Sequence, residues 1–125
     1  MRLLTVLLTC LFLVACSKAP YTKIPATGTI LAFGDSLTYG YNVQPEHSYP
    51  SVLARLSGRN VVNAGVSGEV TADGLERLTE LLNDNHYDFL ILLEGGNDIL
   101  QNLSQAQLKD NLARMIEVAQ EHNVP

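Results

Sequence analysis

The chain has 125 residues, 8 Lys and Arg, 13 Asp and Glu and a net charge of -5, which is the size of one domain carrying something extra. An acidic balance without any Lys/Arg cluster leaves no footprint for a nucleic-acid backbone, and two cysteines cannot build a disulfide scaffold. The five prolines are scattered and no low-complexity tract occurs, which excludes disordered, collagenous and linker-rich architectures.

The N-terminus is unlike the rest. Arg2 precedes an apolar run, Leu3 to Leu13, that is too short to span a bilayer as a permanent helix. It ends in Leu13-Val14-Ala15-Cys16, which resembles the lipobox of bacterial lipoproteins. On that reading residues 1–15 are a signal peptide and Cys16 carries the lipid, while the blander alternative is a secretory signal without lipid. Ser17 stands where an aspartate would favour inner-membrane retention, so the expected location is the outer membrane, facing the periplasm. Residues 16–28 hold two prolines and no periodicity, as a tether should.

From residue 29 onward, apolar runs of strand length alternate with helical periods. Thr29 to Phe33 reads as a buried strand closed by Gly34, Asp35 and Ser36. Ser48 and Pro50 open a helix with Val52, Leu53 and Leu56 on one face, and Gly58 stops it. Asn60 to Val66 is a second short strand. Ala72 to Asn83 places Leu75, Leu78 and Leu82 on one stripe, and Asp88 to Leu93 is the most apolar strand. Ser104 and Gln107 form a capping-box pattern before a helix expected to turn Leu108, Leu112, Met115, Ile116 and Ala119 inward.

Strands apolar on both faces, separated by helices, predict parallel βαβ units. In such sheets the ligand site lies beyond the carboxyl ends of the strands. The loops that converge there contain Gly34-Asp35-Ser36, Ala64-Gly65-Val66-Ser67-Gly68 and Gly95-Gly96-Asn97-Asp98. Such an edge offers one hydroxyl nucleophile, backbone N–H groups at glycines and one side-chain amide, which is what acyl transfer at a serine needs. Taken singly, each is more often a turn or a helix cap; together, at three successive strand ends, they favour function. No phosphate loop, no dinucleotide fingerprint and no Gly-x-Ser-x-Gly elbow is present.

Three blocks carry a resemblance to the GDSL, or SGNH, family of serine esterases and lipases, and within it to the thioesterase I, lysophospholipase and arylesterase group. They are Phe33-Gly34-Asp35-Ser36-Leu37-Thr38-Tyr39-Gly40, Asn63-Ala64-Gly65-Val66-Ser67-Gly68 and Gly95-Gly96-Asn97-Asp98. The resemblance implies a three-layer αβα fold with a flavodoxin-like parallel sheet, here about three strands, in a domain covering residues 29–125. It implies that Ser36 is the nucleophile, and that the Ser36 N–H, the Gly65 N–H and the Asn97 amide form an oxyanion hole. It also implies hydrolysis of small acyl esters or thioesters through an acyl-enzyme, without metal or organic cofactor. Asp35 receives no separate role, and His47, His86 and His122 read as solvated surface residues.

One block is missing. No Asp in the sequence is followed three residues later by His, so Ser36 lacks the family's general base and its orienting carboxylate. Two readings follow: the N-terminal part of a lipid-anchored esterase, with activity near background in this chain, or a non-catalytic lipoprotein whose groove binds acyl chains or a protein. With three strands, Phe89 to Leu93 becomes a sheet edge without charge or proline, which predicts self-association or partial order.

Overall fold

A computed structural model describes residues 23–125. The expected signal peptide, Cys16 and the first part of the expected tether lie outside the described residues. Three strands, β1 (Thr29–Gly34), β2 (Asn60–Gly65) and β3 (Phe89–Leu93), form a parallel sheet in the order β2-β1-β3. β1 is central because it can be buried on both faces: Ile30, Leu31, Ala32 and Phe33 are all closed to solvent. The register sets Leu31 beside Val62 and Leu90, and Phe33 beside Ala64 and Leu92. With a side-chain period of two, these six side chains share one face.

That face is covered by α3 (Thr71–Asp84) and α5 (Gln105–Glu121). Leu78 and Leu82 of α3 and Met115, Val118 and Ala119 of α5 close the core over Leu31 and Phe33, with Leu75 and Leu112 at its margin. The other side of β1 and β2 carries α1 (Ser36–Tyr39), a 3-10 turn (Pro45–His47) and α2 (Tyr49–Ser57). Gly58 ends α2 in the left-handed region at φ 67°, donating its N–H to Ala54 O, as a C-terminal glycine does. Ser48 precedes α2 without capping it, because its Oγ donates instead to Pro45 O (2.8 Å) and shares a hydrogen bond with Ser51 Oγ (3.0 Å). Ser104 does cap α5, accepting from the Gln107 N–H.

Two apolar side chains sit differently from their helical period. Leu56 is 76% exposed and Ile116 51% exposed. α2 lies along the outer strand β2 with Pro50 as its buried residue, and Leu56 stays open to solvent. Ile116 faces the open side of β3, and Val118 takes the inward position instead. The edge of β3 also differs from the expectation of a fully unpaired row. The Leu90 N–H donates to Pro125 O (3.0 Å) and Val124 enters the core, so the tail covers part of that edge. Beside it remains an apolar groove of about 200 Å³ lined by Leu90, Leu92, Ile116, Ala119 and Val124. Ahead of β1 the chain is held as well, since Arg59 donates to Ile24 O (2.8 Å).

Candidate active site

The nucleophile loop grows directly out of β1. The Asp35 N–H continues the β1–β3 ladder to Leu93 O (3.3 Å), and the buried Asp35 carboxylate caps α1 by accepting from the Leu37 N–H (2.9 Å). This gives Asp35 the local role that its sequence left blank. Ser36 is the first residue of α1 and half-buried. Among the described residues neither its Oγ nor its N–H has a hydrogen-bond partner, so both are available to a ligand.

The second loop corrects one assignment. Gly65 is still part of β2, opposite Gly34, and its N–H is taken by the Asn63 side-chain oxygen (3.0 Å). Its lack of a side chain serves packing, because a β-carbon there would collide with the backbone nitrogen of Tyr39. The open donor lies three residues on. Gly68 stands at φ 84°, its missing β-carbon faces empty space, and its N–H has no partner among the described residues. The block Asn63 to Gly68 offered two glycines, and the signal that separates them is that the strand runs through Gly65.

The third loop brings the side-chain amide in. α4 (Gly96–Leu100) starts immediately after β3, and Asn97 Nδ2 donates to the backbone carbonyl of Glu69 (2.7 Å). One amide hydrogen thus fixes the side chain beside Gly68 while the other remains free. Asp98, 4% exposed, accepts from the Thr71 N–H (2.9 Å) and the Thr71 Oγ (2.6 Å), and Asn111 of α5 donates to the same Oγ (3.0 Å). This clamp ties the second and third loops to α5. The first and second are joined by the Val66 N–H donating to Gly34 O (2.9 Å). Ser36, Gly68 and Asn97 are therefore carried by three loops bonded to one another, and Gly65 sits behind them.

Behind this edge lies a charged pocket that no motif announced. Arg77 of α3 donates through Nε and Nη2 to the two carboxylate oxygens of Glu69 (2.7 and 2.5 Å), and its guanidinium stacks 4.0 Å from the centre of the Phe33 ring. Burial, together with the neighbouring Glu69 carboxylate, pushes the Glu94 carboxyl up to about 8. The histidines are elsewhere. His47 and His86 are exposed, the latter 3.9 Å from Asp88, and His122 bonds to Val118 O and the Asn83 side chain. A polar groove of about 450 Å³, lined by Tyr39, Val43, Ser48, Ser51, Asn63 and Gly65, opens on the α1 and α2 side.

An unbonded serine hydroxyl, two unbonded backbone N–H groups and one oriented amide can receive a carbonyl carbon and the oxyanion that forms from it. The sequence and the fold recur in known proteins. Residues 32–125 match the GDSL-like Lipase/Acylhydrolase family. The chain is 40% identical over 99 residues to an arylesterase of Vibrio mimicus, covering 74% of this chain and 49% of that protein. It is 32% identical over 97 residues to thioesterase 1/protease 1/lysophospholipase L1 of Escherichia coli K12, covering 76% and 47%. The crystal structure of AlinE4, an SGNH-hydrolase family esterase, superimposes with a TM-score of 0.74 at 38% identity, covering 82% of this chain and 58% of that one. The chain spans about half the length of the curated relatives it matches. By the match over residues 32–125 and by its fold, the chain belongs to the GDSL-like lipase/acylhydrolase family.

Proposed function

We propose that these residues form the nucleophile and oxyanion half of a serine hydrolase acting on small carboxylic esters or thioesters. The observation that carries this reading is the Ser36 hydroxyl, unbonded at the start of α1, on the sheet edge where the Asn97 amide is fixed against Glu69. In the proposed reaction the Ser36 Oγ attacks the carbonyl carbon, and its proton passes to a general base. The carbonyl oxygen becomes an oxyanion held by the Ser36 N–H, the Gly68 N–H and the free hydrogen of the Asn97 amide. Collapse breaks the bond to the leaving group, which departs as alcohol or thiol by taking the proton back from the base, and leaves an acyl-serine that water hydrolyses with the same base. The base is the part this sequence does not supply, having no Asp-x-x-His, so turnover is proposed for a protein that contributes that pair.

The test is a chimera joining residues 23–125 to the C-terminal half of an active relative that carries Asp-x-x-His, assayed with p-nitrophenyl and thioester substrates. Turnover that vanishes in Ser36→Ala supports the proposal. A folded chimera that binds fatty acid but hydrolyses nothing favours the non-catalytic acyl-binding lipoprotein. Anchoring through a diacylglyceryl group on Cys16, with an outer-membrane location, is proposed from the sequence of the first 16 residues. Mass spectrometry of the mature N-terminus checks it, and an unmodified residue there refutes it.

A further inference from the structure

The pocket behind the oxyanion loops holds two carboxyl groups that belong to different loops. A β-carbon placed at Gly74 of α3 would lie 3.4 Å from a Glu69 carboxylate oxygen and 3.6 Å from the Glu94 carboxyl carbon, so both acids press on one bare stretch of helix. Glu69 is buried and its two oxygens are held by Arg77. Glu94 is half-buried; its Oε2 accepts from the Gly95 N–H (3.3 Å), while its Oε1 is closed to solvent and has no hydrogen-bond partner among the described residues. A buried carboxyl oxygen without a donor, next to a carboxylate, is satisfied if it carries the proton itself.

We propose that Glu94 is a positioning residue: protonated, its Oε1–H donates to the Glu69 carboxylate and so holds the Gly68–Glu69 segment against Asn97, and loss of that proton to water releases the segment. The chain of contacts is short. Glu69 is the residue whose backbone carbonyl receives the Asn97 amide, and its N-terminal neighbour is Gly68. Two ionised carboxylates at this separation repel each other, and a single arginine already engaged with both Glu69 oxygens leaves Glu94 without a cation among the described residues.

The charged surroundings of Glu94 are Glu69 from the second loop, Arg77 from α3, and Asp35 from the nucleophile loop, which adds to the repulsion. Asp98 of α4 is turned to Thr71 instead, and α5 contributes Met115 beside Gly74 and Asn111, neither of which titrates here. A Glu94 carboxyl held at about 8 is consistent with this arrangement. The catalytic consequence rests on Asn97 being an oxyanion donor; the positional coupling does not.

The experiment is an NMR titration of the full chain, labelled with carbon-13 at Glu carboxyls and nitrogen-15 at Asn amides, from pH 5.5 to 9.5. One carboxyl, absent in Glu94→Gln, is expected to titrate near pH 8, and the Asn97 side-chain amide should shift with the same midpoint. Glu94→Gln, which keeps a donor, should hold the amide at its low-pH position throughout, and Glu94→Ala should hold it at the high-pH position. An Asn97 amide that stays still while Glu94 ionises overturns the proposal, as does a Glu94 already ionised at pH 6. Should either variant not fold, the titration of the unsubstituted chain decides alone. An inactive chimera alongside a coupled titration would sink the hydrolase reading and leave this one standing.

Discussion

Removing the Asp98 carboxylate should unfasten the site from its scaffold, and the cost can be worked out from its bonds. Asp98→Ala deletes two hydrogen bonds to a buried charged acceptor, from the Thr71 N–H and from the Thr71 Oγ. Such bonds contribute about 1.5 kcal/mol each at the low end, so the loss is about 3 kcal/mol. Asn111 remains to satisfy the Thr71 hydroxyl, but the N–H at the start of α3 is left buried without an acceptor. Asp98→Asn keeps the shape and one acceptor oxygen, and should cost about half as much. Against a domain stability of about 5 to 15 kcal/mol, the larger loss is severe. With a urea m-value of about 1.5 kcal/mol/M, the midpoint should fall by about 2 M for Asp98→Ala and about 1 M for Asp98→Asn, at fixed protein concentration. Combined with Thr71→Val, a double-mutant cycle should return a coupling of at least about 1 kcal/mol. An Asp98→Ala midpoint within about 0.3 M of the unsubstituted chain, or an additive cycle, would refute the clamp.

In the active chimera, Asn97→Ala should lower kcat by about 100- to 1000-fold with KM nearly unchanged, the cost of one oxyanion donor; an unchanged kcat removes Asn97 from the hole. Gly65→Ala should destabilise the fold by forcing Tyr39 away, whereas Gly68→Ala, in open space but at positive φ, should affect kcat more than the urea midpoint; the reverse ranking would return the donor role to Gly65. Because the fold favours neutral Glu94, folding takes up a proton between its ordinary value of 4.5 and about 8. Stability should therefore decline as pH rises through that window, and Glu94→Gln should flatten the decline in urea midpoints measured from pH 5 to 9. The half-open edge of β3 should make the chain self-associate with rising concentration, and Ile116→Lys, set in the apolar groove, should shift the elution volume back to that of a monomer; a monomer at every concentration contradicts this.

What could be read without coordinates was whatever depends on short-range pattern. The three strands show as apolar runs, the helices as stripes of Leu75, Leu78 and Leu82 or Leu112 and Met115, and Ser36 and Asn97 fall at strand ends because parallel topology puts them there. Leu56 and Ile116 escaped because periodicity reports a helix face but not what stands opposite it. The exchange of Gly68 for Gly65 turned on which N–H is already engaged: the Asn63 side-chain oxygen takes that of Gly65, a contact that composition does not report. No motif in the sequence singles out Glu69 or Glu94. Only folding sets them against the same turn of α3, and no spacing along the chain encodes that meeting.

The central position of β1 also has a consequence in time. Its N-terminal backbone is bonded across to Asp88, a closure spanning 59 residues, whereas the Thr71–Asp98 clamp spans 27. Wider closures lose more chain entropy before any contact repays it, and on a ribosome they must also wait for the later segment to emerge. β1 and β2 can meet early, but the turn carrying Ser36 has no fixed floor until Leu93 arrives to receive the Asp35 N–H. The turn that carries Ser36 is thus made early and fixed late. A chain synthesised without β3 would carry its serine on a turn held from the β2 side alone, through the Val66 N–H bonded to Gly34 O.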